Sequence, residues 1–171
     1  MKNLKLFREV PLLLRLNSDD ETFRFSALDI ERNRLFFLSS HNFIYTSHLS
    51  SFHQKQAWSN NNSSLSTTHA IVDFEPDDTV TSFDYLMEKE ALLLGTSNGH
   101  LLLFDVDANV TQVVGNVDGG VNCISLSPDG EVIAVVTGFG QVLVMTHDWD
   151  LLYEISLLDD DEAEGHHVSK D

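Results

Sequence analysis

Slid against itself by 41 residues, the chain places Val80 over Val121, and the two stretches then match without a gap. Phe83 falls on Ile124, Tyr85 on Leu126, Glu90 on Glu131, Leu92-Leu93-Leu94 on Ile133-Ala134-Val135, Thr96 on Thr137, Gly99 on Gly140, and Leu101-Leu102-Leu103-Phe104 on Val142-Leu143-Val144-Met145. A fixed period of this length marks a fold made by repeating one supersecondary unit. Each unit holds four short runs of β-branched and aliphatic residues separated by turn residues, so each is read as four strands. The spacing predicts strands over 79–86, 91–96, 100–106 and 110–117 in one unit and 121–127, 131–137, 141–146 and 151–157 in the next. Asn98-Gly99 and Phe139-Gly140 supply the permissive backbone that a tight connection between second and third strands needs.

A weaker copy lies upstream, in Phe23 to Leu28, Arg34 to Ser39 and Asn42 to Tyr45, with its fourth strand expected near 69–74. Between them the polar segment 48–68, including SNNNSSLSTT, reads as a surface insertion in this copy. The blades are therefore expected over 20–75, 79–117 and 121–157 within a unit spanning 1–157, and residues 158–171 are expected to form an acidic, disordered tail.

The second run of the last unit, VIAVVT, has no polar face. Strands buried on both sides occur in parallel sheets between helices, but no amphipathic helical stretch of convincing length separates these runs. Four short strands per forty or so residues is the period of a β-propeller blade, whose middle strands are covered on both faces by neighbouring blades. The fold class is all-β: an incomplete, WD-repeat-like β-propeller of about three four-stranded blades. Residues 2–7 are a candidate strand for a neighbouring blade. Propellers close with four blades or more, so the chain looks truncated. An uncovered blade face on the order of 500 Å² forgoes roughly 12 kcal/mol as an upper bound. The isolated chain is thus expected to aggregate or to need a partner, and a sharp, reversible unfolding transition of the monomer would contradict this.

The 171 residues carry 27 Asp and Glu against 10 Lys and Arg, a formal charge of −17, which repels phosphate backbones; direct binding of nucleic acid by this segment is not expected. The N-terminus lacks the apolar core and cleavage site of a secretory signal, and no apolar run approaches a membrane span. One cysteine, Cys123, forms no internal disulfide; a reducing compartment and a buried, inert role are expected for it.

Candidate chemistry is sparse. The eight histidines, His41, His48, His53, His69, His100, His147, His166 and His167, show no ligand spacing, so no metal or cofactor is expected. Gly138-Phe139-Gly140 leads into a strand and offers no helix N-terminus to an anion. Ser125, Ser127 and Asp129 lack a placed histidine, and Asp129 suits a Pro-Asp-Gly turn. Asp19-Asp20-Glu21, Asp77-Asp78 and the run 159–162 read as loops, with an acidic docking surface as the alternative. Trp149 is expected at a strand start and Trp58 in the insertion. A propeller enzyme would need polar groups converging from the first strands, where Asp29 and Asp84 are the recurrent candidates. No catalytic residue is assigned, and the chain is not expected to be an enzyme.

Asn3 to Phe7 and the stretch ISLSPDGEVIAVVTGFGQVLVMTHDWDLLYE resemble the amino-terminal region of the family of the largest, scaffold subunits of the Elongator complex. The resemblance is carried by Ser127-Pro128-Asp129, Glu131, Thr137-Gly138, Met145-Thr146 and Asp148-Trp149, in that order and spacing. It is close over 115–154; Leu126 departs from it, where the family has tryptophan, as does the insertion 48–68. The resemblance implies a non-catalytic scaffold segment, the start of the first of two propellers, in an assembly that modifies the wobble uridine of tRNA. It further implies protein partners among the Elongator subunits, a cytoplasmic location with the nucleus as second compartment, and a dimer formed through a carboxyl-terminal region absent here. The rival readings are a WD-repeat-like interaction module of another pathway and the propeller enzyme.

Overall fold

The computed structural model describes residues 16–48, 66–70 and 77–157, the short middle stretch as backbone only. Twelve strands are seen there: β1 Phe23–Asp29, β2 Arg34–Ser39, β3 Phe43–His48, β4 Ser66–Ala70, β5 Val80–Leu86, β6 Ala91–Thr96, β7 His100–Asp105, β8 Val110–Asn116, β9 Val121–Leu126, β10 Val132–Thr137, β11 Gln141–Thr146 and β12 Leu151–Ser156. They form three four-stranded antiparallel sheets, each joining consecutive strands in order. Local chemistry sets the turns: Asn42, Gly99 and Gly140, at corresponding places between second and third strands, all take positive φ (59°, 96° and 72°).

The sheets stack face to face. Phe36, Leu38 and Ile44 of the first sheet bury against Phe83, Leu92 and Leu94 of the second. The Phe36 and Tyr85 rings stack across that junction with centroids 5.4 Å apart. Leu86, Leu93 and Leu101 of the second sheet bury against Ile124, Ile133 and Val135 of the third. Between the same two sheets, Thr81 Oγ1 donates to the Val121 carbonyl at 2.5 Å and the Ile124 amide donates to Ser82 Oγ at 2.9 Å. All six residues of β6 are buried, which explains why its sequence has no polar side.

β10 differs from the expectation of burial on both faces. Ile133, Val135 and Thr137 are buried, whereas Val132, Ala134 and Val136 are half-exposed, because among the described residues the third sheet is covered by another sheet on one side only. Cys123 is exposed, not buried, for the same reason: it pairs with Val136 and shares its open face. Trp149 lies two residues before β12 at φ 72° and packs on the second core, in line with a residue that packs at a strand start. The fourth strand of the first sheet is Ser66–Ala70, upstream of the range 69–74, so the polar stretch supplies a strand, and β3 runs on to His48. Residues 2–7, the rest of the insertion with His53 and Trp58, and the tail 158–171 with His166 and His167 lie outside the described residues.

Gly95 marks the close approach of the second and third sheets. A Cβ built there would stand 2.4 Å from Val121 Cγ1 and 3.0 Å from Ile124 Cδ1. Alanine normally improves on glycine inside a strand. Here Gly95→Ala is expected instead to destabilise by about 1–3 kcal/mol through overpacking. Denaturant titration of the variant beside the parent measures it; a neutral or stabilising result would show that the sheets do not approach so closely.

Candidate interaction surface

The first and second units superpose in sequence at a shift of 57 residues, which takes Phe23 to Val80, Arg34 to Ala91 and Phe43 to His100. Two devices recur at these shifts. One ties successive sheets together through their turns. Arg34 Nη1 and Arg32 Nη1, from the first sheet, approach Asp107 in the β7–β8 turn at 2.9 and 3.9 Å, while Arg32 also pairs with Glu90. Lys89, the counterpart of Arg32, donates to Asp148 in the β11–β12 turn at 2.5 Å, and Asp148 is the counterpart of Asp107. The Lys89 hydrogen bond holds the Asp148 carboxyl below the usual carboxylate range. A cation after the first strand thus meets an aspartate after the third strand of the next sheet, twice over.

The other device anchors each sheet's lead-in segment. Glu21 and Asp78 stand two residues before β1 and β5 and are buried, not solvated loop residues as their acidic neighbourhood suggests. Asp78 accepts from Ser97 Oγ at 2.9 Å and the Asn98 amide at 3.0 Å, with His100 Nδ1 at 3.1 Å. Glu21 accepts from the Asn17 amide and the Tyr45 hydroxyl, each at 2.8 Å. In the third unit Gly119 takes this place. In the first two units the acid faces a hydroxyl residue that ends the second strand, Ser39 in β2 and Thr96 in β6.

Burial pushes the Asp78 carboxyl up, but hydrogen bonds from Thr96, Asn98, His100 and Ser97 outweigh it and hold it below its ordinary value. Glu21 behaves alike: burial raises it, while Ser39, Tyr45 and Asn17 lower it further. A carboxyl depressed in the folded state stabilises fully above its unfolded value and loses that contribution as pH falls through the folded one. Stability is therefore expected to fall as pH drops below about 4, and Asp78→Asn to flatten that decline. Urea midpoints of both proteins across the acid range check this; parallel curves would contradict it.

Asp29 and Asp84 are not equivalent positions. Asp29 pairs with Arg34 and Asp84 with Leu93, so Asp29 corresponds to Leu86 and Asp84 to Ala27. Asp29 is buried at the first junction, accepting from Arg34 Nε and the Arg32 amide at 3.0 Å each, while Asp84 caps the Tyr85 amide. Ser127 Oγ donates to Asp129 at 2.5 Å inside the β9–β10 turn, and Ser125 lies on the exposed side of β9. Gly138-Phe139-Gly140 forms the β10–β11 turn. His41 contacts Ser18 and Asp20, His147 contacts Glu131 and Asp148, and His48 ends β3 exposed. Among the described residues no three His, Cys, Asp or Glu side chains gather as metal ligands.

Among the described residues, no sheet covers the outer face of the third sheet. Pairing places Cys123, Val136, Val142 and Ile155 in one row across it and Ser125, Ala134, Val144 and Tyr153 in the next. Tyr153 is 68% and Ile155 52% exposed. Surfaces of this kind, apolar and continuous over several strands, serve contact with other protein.

The sequence matches the family model described as the ELP1 first N-terminal beta-propeller over residues 1–171. The chain belongs to this family of Elongator propellers. Elongator complex protein 1 of Arabidopsis thaliana is 51% identical over 157 residues, covering 92% of this chain and 12% of that relative. The Schizosaccharomyces pombe protein of the same name is 31% identical over 97 residues, 54% of this chain and 8% of its own length. The Rattus norvegicus one is 27% identical over 99 residues, 56% and 7%. The chain therefore spans a small part of each relative, and the stacked sheets described above are blades of this propeller.

Proposed function

We propose that the chain is a non-catalytic scaffold segment of an Elongator-like complex that acts in modification of the tRNA wobble uridine. Its work is assembly: blades, joined by paired turns and buried cores, present faces and loops to other Elongator subunits. The observation that carries this reading is the family match along the whole chain, joined by the relatives named as Elongator complex protein 1. The charge of −17 favours protein contacts over direct contact with RNA. Asp29, the buried acid of the first strand, is engaged by Arg34, which favours a structural over a catalytic role. The segment works in the cytoplasm, with a nuclear pool, as part of a longer protein that dimerises elsewhere in its sequence.

Affinity purification of the full-length gene product from its own cells tests the proposal. Elongator subunits are expected in stoichiometric amounts, with loss of wobble-uridine modification when the gene is deleted. Recovery of a different complex, with modification intact in the deletion strain, would assign the propeller to another pathway.

A further inference from the structure

Asn98-Gly99, in the β6–β7 turn, is the one Asn-Gly step in the sequence. Glycine has no Cβ to hinder its own nitrogen, so that nitrogen can approach the preceding asparagine side chain closely. At the corresponding turns of the first and third units the steps are His41-Asn42 and Phe139-Gly140, whose first residues carry no amide side chain. Asn98 is exposed, so water reaches it. What restrains it is the backbone. The Gly99 N–H donates to the Thr96 carbonyl at 3.0 Å, which turns the attacking nitrogen into the hairpin. The Asn98 N–H donates to Asp78 Oδ1 at 3.0 Å, Ser97 Oγ donates to the same oxygen at 2.9 Å, and His100 Nδ1 lies 3.1 Å from Asp78 Oδ2. Three residues of the turn are thus tied to one buried carboxylate from the segment before β5. The turn is also crowded: Val117 N–H donates to the Gly99 carbonyl at 2.9 Å, and a Cβ built at Gly99 would stand 2.0 Å from the Val117 oxygen.

We propose that Asn98-Gly99 is a site of spontaneous deamidation held shut by Asp78, and that the turn, once modified to isoaspartate, does not close again. In the reaction the Gly99 nitrogen bonds to the Asn98 side-chain carbon, and its proton leaves with the departing ammonia. Water then opens the resulting five-membered imide at either carbonyl, leaving aspartate or isoaspartate. The nitrogen must first release Thr96, so the step proceeds through local opening of the turn. Isoaspartate routes the main chain through the former side chain and lengthens it by a methylene. The space between Gly99 and Val117 does not admit that length.

The test incubates the chain at neutral pH and follows Asn98 by peptide mapping that separates asparagine, aspartate and isoaspartate. Amide hydrogen exchange at Gly99 is measured in parallel. A synthetic peptide of residues 95–102 gives the unrestrained rate. The folded chain is expected to react at least about tenfold more slowly than the peptide. Asp78→Ala should raise the rate by about tenfold or more, the effect of losing hydrogen bonds to a charged group, and should speed Gly99 exchange by a similar factor. Asp78→Asn, which keeps an acceptor oxygen, should fall between, and it carries the test if Asp78→Ala does not fold. Leu92→Ala, which weakens the core away from the turn, should raise the rate less than Asp78→Ala. The isoaspartate form, separated by chromatography, should lose exchange protection at the Val117 amide. A parent rate equal to the peptide's, or a rate unchanged by both Asp78 variants, would overturn the role of Asp78. Retained protection of Val117 in the isoaspartate form would overturn the failure to reclose.

Discussion

Arg34→Ala is expected to lower stability by about 3–5 kcal/mol, a large share of what an ordinary domain has. The Arg34 and Asp29 side chains are 6% and 2% exposed, and the guanidinium donates Nε to Asp29 Oδ2 at 3.0 Å and Nη1 to Asp107 Oδ1 at 2.9 Å. It also lies over the Phe36 ring, 5.3 Å from its centroid. Removing it leaves a buried carboxylate with the Arg32 amide and no cation. Burial raises Asp29, and it is the Arg32 amide, Arg34 and Tyr85 that hold it below its ordinary value. Without Arg34 the carboxyl loses one hydrogen bond and one positive charge that hold it down, so the ionised form bears the loss. The deficit should therefore be largest at neutral pH and shrink as pH falls through the carboxylate range. Arg34→Lys should recover only part, since ammonium cannot bridge Asp29 and Asp107 as a fork. The double variant Asp29→Asn with Arg34→Met should lose less than Arg34→Ala alone. Chemical denaturation of the set decides; an Arg34→Ala deficit within about 0.5 kcal/mol, the range of ordinary surface changes, would mean the pair is solvated.

The second large effect lies in how alanine substitutions differ between two central strands. Leu92 and Leu93 are adjacent, point to opposite faces of β6 and are both fully buried. Leu92→Ala and Leu93→Ala should each cost about 2–5 kcal/mol. In β10, Ile133→Ala should cost a comparable amount, being fully buried. Its neighbour Val132→Ala, on the open side, should cost less than about 1 kcal/mol. Equal, large losses at Val132 and Ile133 would mean that the third sheet is already covered in the isolated chain.

The repeat was legible because blade stacking writes itself into the sequence: the leucines of β6 and the glycines at 99 and 140 answer to contacts and backbone angles shared by both units. The strand Ser66–Ala70 was placed too late because it has almost no apolar content; it is held by backbone pairing to β3, which leaves no periodic trace. Cys123 was misplaced because local pattern reports what a face is suited to touch, not whether a neighbour is there. The open face of β10 is the same effect at larger scale. Of the chemistry, the turn role of Asp129 was readable from Ser-Pro-Asp-Gly. The burial of Glu21, Asp78, Asp29 and Arg34 was not, because their partners come from other strands or another sheet.

Methyl- and aromatic-labelled NMR of the chain tests the stacked-blade arrangement most directly. Through-space contacts are predicted between the Leu93 and Leu101 methyls and those of Ile124, Ile133 and Val135, and between the Phe36 and Tyr85 rings. Absence of those contacts, with backbone amide contacts instead running from β8 to β9 as neighbouring strands of one continuous barrel, would contradict it.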